Sequence, residues 1–258
     1  MLSKSTPHES SKNDTEQGTM TLIDHLKELR IRLVYCIVFL TIGTFLLFSF
    51  SSYTFNFLAI PYFSHFPQES LIGTGPAEAF LLKLKVAFFA AILATSPLLF
   101  HQVWLFVRPG LYEHERKMVI PFIACTTLLF LFGAWLSYKT ILPLTYSFFY
   151  DQYKSIGVTP QIKISEHLSL TTRLMLGCGL AFETPIITFF LARGGIITSS
   201  KLLGWGRYAI VGVFVLSGII TPTGDVLTQT LFAIPLMILY GVSILVARWV
   251  ERKQKNNL

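Results

Sequence analysis

Residues 31–51 read IRLVYCIVFLTIGTFLLFSFS, an apolar run with a single charge, Arg32. A helix rises about 1.5 Å per residue, so a run of this length crosses the roughly 30 Å hydrocarbon core of a bilayer. Ahead of it, residues 1–19 carry Glu9, Asp14 and Glu16 among Ser, Thr and Asn. That stretch has neither the apolar centre of a signal peptide nor the acid-poor character of a transit peptide. The run therefore reads as a retained span behind a disordered cytoplasmic tail.

The same length criterion finds further runs near 84–106, 118–138, 169–191, 207–221 and 226–247. The expected architecture is all-α: a polytopic membrane protein whose six transmembrane helices occupy one domain over 20–250, with residues 251–258 as a second cytoplasmic tail. Composition agrees, since 52% of residues are apolar and 14% charged. With a mean hydropathy of +0.58, this excludes an ordinary soluble domain. The segments 52–83 and 139–168 read as long outer loops, 107–117 and 192–206 as inner ones, and Thr221–Asp225 as a tight outer turn.

Lysine and arginine orient the bundle. Fifteen lie on the amino-terminal side of the membrane and five on the other, with Arg173 inside a helix. Excess cations stay cytoplasmic, which puts both ends inside. The same scatter explains the net charge of +7 without a nucleic-acid partner.

The fifth run is short, about 22 Å at helical rise. Either the membrane thins around it or Gly204, Trp205 and Gly206 extend the helix inward. Prolines 97, 121, 143, 185, 222 and 235 fall in or at the ends of spans, where each removes a backbone donor. Repeated kinks point to curved helices enclosing a concave face. The two halves of the chain match in neither loop length nor motif, so the internal repeat of many secondary transporters is absent.

Several residues are candidates for function. Leu22, Leu26, Leu29 and Leu33 share a helical face and suggest an amphipathic lead-in at the inner surface. Within it, Glu28 is placed to pair with Arg32 at i, i+4. In the inner loop, Glu113 and Glu115 oppose the local positive charge, either as solvated counter-charges or, with Glu28, as a surface suited to bidentate guanidinium capture. Glu183 lies well inside the fourth span, where an ionisable residue signals function or interhelical bonding. Asp225 is positioned to cap the sixth helix. His101 and Gln102 read as interfacial. Cys36, Cys125 and Cys178 each sit in an apolar run without CxxC or Cys/His spacing, so no metal site or cofactor is expected. Nor is there a nucleophile motif or phosphate loop, and the chain does not read as an enzyme.

These residues also form an ordered set of motifs. They are His25-Leu-x-Glu28-Leu-Arg30, Gln102-Val-Trp-x-Phe106, Pro109-x-Leu-Tyr-x-His-Glu115-Arg116, Phe182-Glu183-x-Pro185, and Thr221-Pro222 to Asp225 with Gln229. Together they resemble the TatC family of the twin-arginine protein translocase over nearly the whole chain. The resemblance implies a core receptor, in a bacterial cytoplasmic (inner) membrane or a thylakoid or mitochondrial inner membrane. It would bind twin-arginine signal peptides of folded cargo and assemble with single-span TatA-like and TatB-like subunits, as a homo-oligomer within a receptor complex, for export driven by the proton gradient. By the same resemblance Glu28 and Glu115 are arginine-contacting carboxylates, with Arg30 and Phe106 in the same patch. Glu183 is a contact for a partner's helix, and Pro61 and Asp225 are further sensitive positions. The turn Thr221-Pro222-Thr223-Gly224-Asp225 is one residue longer than the family's usual Thr-Pro-Pro-Asp. A small-solute secondary transporter with Glu183 as coupling site is the rival reading.

Overall fold

The computed structural model describes residues 22–66, 70–107, 119–221 and 225–255. The tail read over 1–19, the loop carboxylates Glu113 and Glu115, and Pro222 lie outside the described residues. Those described are helical or in short connections, apart from one isolated parallel bridge between Ile72 and Lys163. In chain order the helices are α1 (Leu22–Phe48), α2 (Ser51–His65), α3 (Glu78–Val107), α4 (Val119–Leu136), α5 (Leu142–Ser155), α6 (Ile164–Ala181), α7 (Thr184–Arg193), α8 (Ser199–Gly204), α9 (Gly206–Ile220) and α10 (Val226–Lys255). A five-residue π-helical segment, Ser137–Ile141, joins α4 to α5.

Five stretches are long and apolar enough to cross a membrane: Asp24–Phe48, Glu78–Val107, Ile120–Ser155, Ile164–Arg193 and Val226–Lys255. The shorter α9 makes the sixth crossing. Trp205 forms a turn between α8 and α9, its amide bonding back to the Lys201 and Leu202 carbonyls. The inward extension is thus a separate short helix, and α9 itself stays at 15 residues.

The amphipathic lead-in forms the first turns of α1, with Leu26, Leu29 and Leu33 exposed. Two stretches differ from the sequence expectation. The first outer loop carries the 15-residue helix α2, and the second is helical up to Ser155. Both outer helices mix aromatic with polar residues and so lack the continuous apolar length that marks a span.

Prolines decide where the helices bend, because each leaves the carbonyl four residues back without its amide donor. A hydroxyl answers that carbonyl in three cases. Ser96 donates to the Leu93 carbonyl freed by Pro97, at 2.8 Å, and Thr184 donates to the Ala181 carbonyl freed by Pro185. At Pro61 the freed carbonyl of Phe57 takes the Tyr138 hydroxyl, 2.8 Å away and on a different helix.

In the packing of the bundle, α1 lies along α3, α4 along α6 and α7 along α10. The α4–α6 contact depends on small residues that let backbones approach. A Cβ on Gly133 would sit 2.9 Å from the Cys178 carbonyl oxygen and 2.8 Å from the Phe182 ring. Gly133→Ala is therefore expected to destabilise the protein by about 1–3 kcal/mol through forced separation of α4 and α6. Thermal unfolding of the purified variant in detergent tests this, and an unchanged midpoint would show that α6 shifts freely.

Candidate functional site

The inner patch begins with two rings. His25, on the first turn of α1, stacks on Phe106 at the end of α3 with centroids 4.3 Å apart and planes 19° from parallel. This contact fixes the start of α1 against the point where α3 runs into the inner loop. One turn along, Glu28 accepts a hydrogen bond from Arg32 at 3.1 Å through Oε1, both side chains being half-buried. The second carboxylate oxygen, Oε2, is buried without a partner, as is Arg32 Nε. Arg30 is exposed. The structure thus brings His25, Glu28, Arg32 and Phe106 into one patch, while Glu115 belongs to the undescribed segment that follows α3 in the chain.

Glu183 occupies the break between α6 and α7, at the N-cap position of α7. Only 6% of it is exposed, and its Oε1 has no hydrogen-bond partner. Gln102 Oε1 and Trp104 Nε1 on α3 and the Thr127 hydroxyl on α4 are likewise buried and unpartnered. Buried polar groups are normally satisfied, so each of these four groups is short of a partner. An apolar cavity of about 430 Å³ lies alongside, lined by Trp104, Phe122, Pro185, Phe190, Arg193 and Trp249.

The other two candidates lie at the outer end. Pro61 is buried inside α2, where it frees the carbonyl that Tyr138 answers. Asp225 caps α10, its Oδ2 accepting from the Thr228 amide at 2.7 Å and its Oδ1 from the Thr228 hydroxyl. Gln229, one turn into α10, donates to the Phe214 carbonyl of α9 at 2.6 Å.

The sequence profile of the Sec-independent protein translocase protein (TatC) family matches residues 24–235. The chain belongs to the TatC family. A Sec-independent protein translocase protein TatC of Magnetococcus marinus is 39% identical over 243 residues, covering 93% of this chain and 88% of the relative. That of Aquifex aeolicus is 36% identical over 237 residues, covering 92% and 98%. A solved structure, described as the twin-arginine translocase receptor TatC, superposes with a TM-score of 0.80 at 36% identity, covering 88% of this chain and 99% of its own. These relatives support a translocase component of the bacterial inner membrane, and they lend nothing to the small-solute transporter reading.

Within the TatC frame, sequence reasoning missed the outer aromatic packing that carries Pro61. Tyr62 is fully buried, stacks on Phe66 and meets Tyr146 and His167 edge-on. No sequence signal marks the contacts of Tyr62 with Tyr146 and His167, because they join helices far apart in the chain. The clamp on the inner loop was missed too. Glu251 accepts from the Ser199 amide and hydroxyl, both at 2.6 Å, and Tyr240 donates to the Leu202 carbonyl. Tyr138→Phe leaves the Phe57 carbonyl unanswered, which is expected to cost about 1–2 kcal/mol. Chemical or thermal unfolding of the variant measures it, and wild-type stability would mean that water serves that carbonyl instead.

Proposed function

We propose that this chain acts as the receptor of a twin-arginine translocase, its inner patch capturing the paired guanidinium groups of signal peptides on folded cargo. The observation that carries the proposal is the Glu28 carboxylate, with one oxygen bonded to Arg32 and the other buried without a partner, one turn from the His25–Phe106 stack. Arg32 already shows that the carboxylate accepts a guanidinium. The unpartnered oxygen suits a second, since guanidinium and carboxylate pair in a bidentate fork. In this reading Glu115, a short way along the chain from Phe106, supplies the second carboxylate, and Arg30 and Phe106 border the site.

Glu183 serves a different partner. Its unmet oxygen at a helix break suits a polar side chain on the membrane helix of a TatA-like or TatB-like single-span subunit. Pro61 and Asp225 act through the outer scaffold, one docking α2 and the other starting α10. Further copies of the chain complete the receptor complex.

Photo-crosslinking of a twin-arginine peptide to the purified protein tests the inner site. Glu28→Gln and Glu115→Gln are each expected to weaken capture by roughly tenfold, the loss of one charge-assisted hydrogen bond. Unchanged crosslinking in both variants would refute the assignment. Glu183→Ala is expected to preserve peptide capture while reducing co-purification of a single-span partner, and a normal partner yield would remove Glu183 from that role.

A further inference from the structure

Arg173 has no role in the patch or in the partner contact described above. It stands on α6, nine residues beyond Ile164, inside the fourth crossing, and it is exposed. The ion pairs among the described residues are Lys27 with Asp24 and Arg32 with Glu28, so Arg173 has no counter-charge from the described residues. An ionisable side chain at such a depth calls for a compensating partner.

Seven residues earlier, and so on the same face of α6, stands Glu166, also exposed. The two are about 10 Å apart along the helix axis, too far for a direct pair. Between α5 and α6 a cavity of about 530 Å³ is lined by both of them, with Tyr153, Ser165, His167 and Ser169. His167 is 1% exposed. Its Nδ1 is engaged by the Tyr146 hydroxyl at 2.7 Å, and its Nε2 has no partner. Whichever tautomer is present, that nitrogen has an unmet hydrogen-bonding need beside the cavity.

We propose that this cavity holds the headgroup of a zwitterionic aminophospholipid of the outer leaflet, its ammonium at Glu166 and its phosphate at Arg173. The argument is one of charge order along the membrane normal. With the amino terminus inside, α6 enters from the outer face, so Glu166 is the outer group and Arg173 the deeper one. An aminophospholipid in that leaflet presents its amine outermost, its phosphate below and its acyl chains deeper still. Arginine extends its guanidinium toward the interface along its aliphatic stem, which carries the charge up to phosphate depth. A primary ammonium donates hydrogen bonds to Glu166, whereas a quaternary choline has no N–H and a glycerol headgroup has no cation. This proposal is independent of the signal-peptide reading, which concerns the opposite face of the membrane.

Native mass spectrometry of the full-length protein, loaded from detergent with phosphatidylethanolamine, phosphatidylcholine or phosphatidylglycerol, tests it. The wild type is expected to hold one phosphatidylethanolamine against collisional release several-fold better than either other lipid. Arg173→Gln should lose retention of all three, and Arg173→Lys should keep most of it. Glu166→Gln should erase the preference for the amine over the choline headgroup. Because Glu166 is exposed, that variant carries the test even if Arg173→Gln fails to fold. Equal retention of the three lipids by the wild type, an Arg173→Gln profile matching wild type, or release of the lipid by inorganic phosphate would each overturn the proposal. So would an Arg173→Gln variant that keeps its lipid but loses crosslinks to a single-span partner, since the face would then belong to a protein contact.

Discussion

In hydrocarbon every backbone carbonyl must find its hydrogen bond within the protein, and this bundle is bent by prolines that take donors away. The replies are specific. Ser96 and Thr184 stand directly before their prolines and turn back onto the freed carbonyl, so those bends are self-contained. At Pro61 the reply comes from Tyr138, 77 positions along the chain, so that bend exists only while α2 and the π-helical segment stay docked. The local repairs place Glu183 at a helix break, and the distant one ties the outer helices to the membrane body.

The two ends of the bundle are finished differently. Outside, aromatic rings close over a buried histidine, and Asp225 starts the last helix. Inside, α10 reaches Lys255 and grips the loop between α7 and α9 through Glu251 and Tyr240. The inner patch sits at the opposite edge of this clamp in sequence, built from the beginning of α1 and the end of α3. The Glu28–Arg32 ion pair there is half-buried, so it is worth more for orienting Glu28 than for stability.

Much of this was legible before any coordinates. The spans follow from apolar length, the orientation from the distribution of Lys and Arg, the Glu28–Arg32 pair from i, i+4 spacing, and the Asp225 cap from its place ahead of an apolar run. Helix α2 and the extension through α5 were not, because their mixed aromatic and polar residues match neither a span nor a clean amphipathic stripe. The His25–Phe106 stack and the Tyr138–Phe57 bond join residues about 80 apart in the chain, which no periodicity encodes. Arg173 was visible only as a charge out of place. Its relation to Glu166 is a two-turn spacing, and its significance depends on the cavity that α5 closes beside it.

The π-helical segment carries a consequence for how this chain tolerates change in length. A π turn holds one residue more than an α turn, and one residue corresponds to about 100° of rotation. Everything after Ile141 is therefore set round the axis by that amount relative to α4, which is why α4 meets α6 while α5 meets α2. Removing a single residue between Ser137 and Ile141 would restore an unbroken α-helix and swing Tyr146 away from His167. At this point in the fold the number of residues, more than their chemistry, is what the outer half of the protein is built to keep.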